Sequence, residues 1–169
     1  RCWAATEPEF EKLRVNKRVY FPKNGKGKPR IKAYPEEDEG LVPMSLWLAS
    51  DAGTTEEAKK EILALFSEDD PFGTPKPERL MRQILSVASN PNDLILDSFL
   101  GSGTTSAVAH KMNRRYIGIE MGDHAITHCV PRLQKVIEGE QGGISEAVEW
   151  KGGGGFRFYR LGAPVFDET

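Results

Sequence analysis

Cysteine and histidine are scarce in this chain, and that scarcity removes whole classes of function. Cys2 and Cys129 are the only cysteines among 169 residues. Two are too few for a disulfide framework or a cysteine-built zinc site, and they fit a reducing, cytoplasmic setting. The three histidines, His110, His124 and His128, are scattered. His124 and His128 stand four apart, a spacing that suits a metal, but no third ligand lies nearby in the sequence. They read as helix-surface side chains, and no metal site is expected. No apolar run approaches the 18 residues of a membrane span, and no segment reads as a signal peptide. A net charge of −2 excludes a body that binds polyanions as a whole, so any nucleic-acid contact must come from a local patch. Internal repeats are absent. Hydrophobic content of 38% and charged content of 28% describe an ordinary soluble composition.

What is present is a strand, a glycine turn, a helix, a second strand and an acid, in that order. The apolar run Leu94-Ile-Leu96 ends in Asp97, and Ser98, Phe99 and Leu100 lead to Gly101-Ser102-Gly103. A helix is expected from about Thr104 to Met112, with its free N–H groups aimed at the turn. The second run, Tyr116-Ile-Gly-Ile119, ends in Glu120, placed to grip ribose hydroxyls. This pattern builds a pocket for an adenosine-containing cofactor in an α/β sheet. The third glycine of a dinucleotide fingerprint is replaced by Ser106, and no Gly-Lys-Ser or Gly-Lys-Thr follows, which disfavours a P-loop. Asp97 separates the remaining choices. A carboxylate before the turn repels a pyrophosphate, whereas S-adenosylmethionine carries an ammonium and a sulfonium and no phosphate. The competing reading of Asp97 is structural: an Asp that caps the turn or binds loop amides.

Three segments together resemble the DNA adenine methyltransferases of the amino class, and more narrowly the modification subunits of type III restriction-modification systems. Phe72-Gly-Thr-Pro-Lys-Pro-Glu-Arg-Leu80 is similar to the family's motif X, Asp97 to Thr105 to motif I, and Tyr116-Ile-Gly-Ile-Glu120 to motif II. The tail from Trp150 to Leu161 resembles the ending of type III modification subunits. The resemblance implies a partial Rossmann-like, S-adenosylmethionine-dependent α/β fold with a small N-terminal β-hairpin/helical appendage. It places Phe72, Thr74, Lys76, Asp97, Ser98, Phe99, Gly101, Ser102, Gly103, Thr104 and Thr105 around the cofactor's methionine end, Glu120 on its ribose and Met121 against its adenine. Ser98 stands where the family usually has proline, a change in turn stiffness more than in chemistry. The family's Asp-Pro-Pro-Tyr-like catalytic tetrapeptide is absent, and Asp70-Pro71-Phe72 is no substitute. The resemblance therefore implies no catalytic residue in this chain, a C-terminal piece inactive by itself, and an N-terminal remainder carrying catalysis. The implied reaction is methyl transfer to N6 of an adenine flipped out of double-stranded DNA. The implied partners are that DNA, a restriction subunit and a second copy of the enzyme, with no membrane.

Residues 1–40 read as the tail of a DNA-recognition region and 41–169 as the cofactor-binding domain. Between Lys12 and Lys32 there are nine Lys/Arg and no Asp/Glu. Arg18–Phe21 and Arg30–Tyr34 read as two strands joined through Asn24-Gly25, a hairpin signal. Lys23, Lys26, Lys28, Arg30 and Lys32 are its candidate phosphate contacts, against a reading as a lysine-solubilised loop. Tyr20, Phe21 and Tyr34 are of a type that stacks on bases, but a small hairpin needs an aromatic core, and they are expected there. Glu36–Glu39 reads as an acidic connector, and Leu41–Leu48 as an apolar segment that packs onto the next domain. A helix is expected from Thr54 or Thr55 to Phe66. Another opens at Pro77, with Leu80, Ile84, Leu85 and Ala88 as its buried stripe. A further helix carries Ile126, Cys129, Val130, Leu133, Val136 and Ile137 on one face, with a kink at Pro131. Gly152–Gly155 reads as a flexible linker or as a tight loop into a third strand, Phe156–Leu161. Two readings of other classes stand beside the methyltransferase: a non-catalytic nucleic-acid or partner-binding module, and a NAD-dependent oxidoreductase, which leaves Asp97 unexplained.

Overall fold

The computed structural model describes residues 5–34, 42–66 and 72–162. The acidic run 36–39, Leu41, Asp70-Pro71 and Cys2 lie outside them. The chain divides into two compact units, Arg1–Pro43 and Met44–Thr169.

In the first unit, α1 (Glu7–Val15) opens on Thr6. The Glu9 carboxylate accepts the Thr6 backbone N–H at 2.8 Å, half of the reciprocal cap that a Ser/Thr-x-x-Glu pattern offers. β1 (Val19–Tyr20) and β2 (Arg30–Ile31) pair antiparallel, Val19 with Ile31 and Tyr20 with Arg30. Lys23, Asn24 and Gly25 all take positive φ in the connection. The hairpin is shorter than its sequence suggests, and its aromatics are not core. Tyr20, Phe21 and Tyr34 stay exposed, because a two-residue ladder has too little area to cover them. Tyr34 instead lies under the Arg18 guanidinium, 4.9 Å from the ring centroid.

The second unit is α/β. After the short α2 (Ala49–Ala52), α3 (Thr55–Phe66) is capped by Thr54, whose Oγ1 accepts from Glu57 N at 3.2 Å while Glu57 Oε2 accepts from Thr54 N at 2.8 Å. Ala58 and Ile62 are its buried face. Met44, Leu46 and Leu48 remain exposed rather than packed. α4 (Glu78–Ala88) starts directly after Pro77. Leu85 is buried, Leu80 and Ile84 are half-buried, and Ala88 is exposed at the helix end.

β3 (Leu94–Asp97), α5 (Thr104–Lys111) and β4 (Arg115–Gly118) form a parallel βαβ unit, with Leu94 opposite Arg115 and Asp97 opposite Gly118. This is the repeating unit of a Rossmann-like sheet. Alternation sends Ile95 and Tyr116 inward against Leu85, Val108, Ala109 and Ile144. A Cβ at Gly118 would press on the Leu100 side chain and lie 2.9 Å from Ser106 Oγ, so both would have to give way to it. A π-helical turn, Ala125–Cys129, runs straight into α6 (Val130–Glu138). Pro131 has no N–H to return to the preceding turn, and the local change of helix type takes the place of a kink within one helix.

The expected third strand does not form: residues 156–161 take no regular secondary structure. Nor is the glycine run a loose linker. Gly152, Gly153 and Gly154 have positive φ. Gly153 N donates to Ile137 O at 2.8 Å, and Gly153 O pairs with His110 Nε2 at 2.9 Å. His110 also pairs with the Tyr116 hydroxyl at 3.1 Å, and burial pushes that phenol up to about 12. Among the described residues no helix is long and apolar enough to cross a membrane.

Candidate cofactor site

The site is built where β3 and β4 end side by side. Gly101 has φ +59° and Gly103 φ +83°, so the chain reverses between Asp97 and α5 in a conformation that L side chains rarely adopt. Two carboxylates fix the reversal. Asp97 Oδ1 accepts from Phe99 N at 3.0 Å, and Oδ2 accepts from the Thr105 hydroxyl at 2.6 Å. Glu120 Oε2 accepts from Gly101 N at 2.7 Å, and Oε1 accepts from Gly122 N at 2.9 Å. Those backbone amides hold the Glu120 carboxyl below the usual carboxylate range, with His124 adding to the effect. Asp97 thus performs the turn-binding role set out as its structural reading. A carboxylate has about four lone-pair sites, so both acids retain acceptor capacity for a ligand.

The motif X segment forms a wall. Phe72 is packed so closely on Gly101 that a Cβ there would lie 3.0 Å from Phe72 Cζ. The Phe72 ring meets His124 and His128 edge-on, at centroid distances of 4.9 and 5.8 Å. The histidines stack on each other at 5.4 Å. No cluster of three metal-ligating groups exists among the described residues. Phe99 and Met121 are almost fully exposed beside the turn. Ser98, Thr74 and Lys76 are also exposed, and Lys76 Nζ reaches only Thr74 O, at 3.2 Å. Ser102 and Thr104 are buried with their hydroxyls 3.3 Å apart. The structure therefore brings Phe72, Asp97, Gly101, Gly103, Thr105 and Glu120 together. Ser102 and Thr104 are buried, and Thr104 Oγ1 accepts from Arg132.

Sequence reasoning missed what lies behind the turn. Cys129 Sγ donates to Gly101 O at 3.1 Å, and burial, with Glu120 adding, pushes this thiol up to about 11. Deeper still is a cluster of charges. Glu78 Oε1 accepts from Arg132 Nη2 at 2.9 Å, and Oε2 accepts from Lys111 Nζ at 2.8 Å and Ile144 N at 3.1 Å. Arg132 Nη1 also donates to Thr104 Oγ1 at 2.9 Å. Burial opposes ionisation of Glu78, but Arg132 and Lys111 outweigh it and hold the carboxyl low. A signal for this cluster was available. Arg132 falls on the same helical stripe as Cys129, Leu133 and Val136, and Lys111 on that of Thr104 and Val108.

A family profile described as DNA methylase matches residues 6–130. The chain belongs to the DNA methylase family. Within it, the chain is 60% identical over 94 residues to a probable type III restriction-modification enzyme HindVI Mod subunit of Haemophilus influenzae, covering 56% of this chain and 12% of that protein. It is 36% identical over 113 residues to the type III StyLTI Mod subunit of Salmonella typhimurium, covering 67% and 17%. The chain thus spans between about an eighth and a sixth of the length of these curated relatives. A crystal structure of an M1.HpyAVI–SAM complex matches at 31% identity with a TM-score of 0.37, covering 60% of this chain and 42% of that one. This methylase-family chain contains all three motif segments read from its sequence, and the turn and both acids lie within the matched residues.

Proposed function

We propose that this chain is the S-adenosylmethionine-binding part of a DNA methyltransferase acting on N6 of adenine, of the type III modification kind. The observation that carries the reading is the pair of carboxylates at the ends of adjacent parallel strands, clasping one glycine turn. A pyrophosphate meets two negative charges there; an aminoacyl sulfonium meets two acceptors. When bound, S-adenosylmethionine supplies the methyl group. Asp97 and the 97–105 turn receive its ammonium, Glu120 accepts its ribose hydroxyls, and Phe72 closes the methionine side. Phe99 and Met121 provide exposed apolar surface for the adenine ring.

The basic hairpin supports a DNA contact by the same enzyme. Lys23, Lys26, Lys28, Arg30 and Lys32 are all exposed on it. If they make about five phosphate contacts, the log–log salt dependence of binding to duplex DNA has a slope of roughly −4 to −5. The catalytic tetrapeptide, a restriction subunit and a second copy are assigned to the longer enzyme. The purified chain is accordingly expected to bind cofactor without turnover.

Calorimetric titration of the chain with S-adenosylmethionine and with NAD tests the reading. Binding of S-adenosylmethionine that is lost in Glu120→Ala, with the circular dichroism spectrum unchanged, is the expected result. Preference for NAD, or equal binding by Glu120→Ala, overturns it.

A further inference from the structure

We propose that Arg132 is a positioning residue that, through Glu78 and Thr104, sets the spacing between the two loops forming the cofactor pocket. This inference rests on the cofactor reading above. The 72–77 loop ends at Glu78, the first residue of α4, and the 97–103 turn ends at Thr104, the first residue of α5. One guanidinium holds both: Nη2 donates to Glu78 Oε1 at 2.9 Å, and Nη1 donates to Thr104 Oγ1 at 2.9 Å. Glu78 is further fixed by Lys111, Ile144 N and, at its own backbone N–H, by Glu61 Oε2 at 3.1 Å. The starting points of α4 and α5 are therefore set by one rigid planar group. The loops they end are the ones that press Phe72 onto Gly101.

Burial shows what the arrangement is for. Arg132 is 1% and Glu78 2% exposed. Among the described residues Arg132 Nε has no hydrogen-bond partner, so desolvation of the guanidinium is not fully compensated by them. Apolar side chains of similar volume often fill such a place with equal or greater stability. What they do not supply is a fork that fixes two backbone segments at a defined distance. Lysine keeps the charge but not the planar fork, so its ammonium does not hold two partners in the fixed directions of a guanidinium.

Arg132→Lys and, separately, Glu78→Gln are compared with the unaltered full chain by three measurements: thermal midpoint, S-adenosylmethionine affinity well below that midpoint, and the 15N–1H resonances of Gly101 and Gly103 without ligand. The expected result is that both glycine resonances shift in each variant. Where the unaltered chain binds, affinity falls about tenfold in variants that remain folded. A purely structural role lowers the midpoint and leaves both resonances and affinity in place, which overturns the proposal. If the unaltered chain does not bind, the cofactor reading fails, and the resonances alone decide whether Arg132 sets the loops. If Arg132→Lys does not fold, the same readouts on Glu78→Gln decide.

Discussion

Gly101 does two jobs at once. Its φ of +59° makes the turn, and its missing Cβ leaves room for the Phe72 ring. Gly101→Ala keeps the chain chemistry and disturbs both. A left-handed conformation costs a non-glycine residue about 1–2 kcal/mol. A loss of that size, with an unchanged urea m-value, is expected in equilibrium unfolding; no loss means the turn can rearrange. Glu120 adds a pH dependence at the same turn. Its carboxyl is held below the ordinary value of 4.5 by the Gly122 and Gly101 amides. The tie to Gly101 is therefore fully present above that value and is lost as pH falls through the lower folded value. The Gly101 amide proton shift, followed from neutral to acid pH, is expected to move with a midpoint below 4.5. A midpoint above it contradicts the hydrogen bonding described.

Elements differ in how legible they were, and the difference is physical. β3, α5 and β4 sit within a residue or two of where apolar runs and glycines put them. Their signals are local: alternation, a positive-φ turn and a helix start. Phe156–Leu161 has the same strand-like composition but no pairing, because strand formation needs a neighbour that composition does not specify. The cofactor acids were legible as strand-end carboxylates. Glu78, Lys111 and Arg132 were not singled out, because a charge on an apolar stripe reads as an irregularity until its partners, up to 66 residues away, are placed beside it. Gly118 tests the βαβ packing. In Gly118→Ala the new Cβ meets the end of the Leu100 side chain and, at 2.9 Å, Ser106 Oγ. Overpacking of this kind costs about 1–3 kcal/mol. A lowered thermal midpoint is expected, and an unchanged midpoint means that α5 does not bear on β4 as closely as described.

At the scale of the whole molecule, the described residues of the second unit cover the β3–β4 sheet on one face only. Ile95 and Tyr116 face the core, while Leu94, Leu96, Ile117 and Ile119 are each half or more exposed on the opposite face. Parallel sheets are ordinarily covered on both faces, and the row of four aliphatic side chains is contiguous across the β3–β4 register. Such a face binds hydrophobic dyes and lowers solubility. Leu96 and Ile117 are directly paired across the strands, so Leu96→Lys with Ile117→Lys places two charges at the centre of the patch without touching the inward residues. The double variant is expected to remain in solution at higher concentration and to enhance anilinonaphthalene sulfonate fluorescence less than the unaltered chain does. Its circular dichroism spectrum is expected to match. Equal dye fluorescence from both proteins would locate the sticky surface elsewhere, with the exposed Met44, Leu46 and Leu48 next in line. A collapsed spectrum would show that this face contributes packing within the chain and is not a free surface.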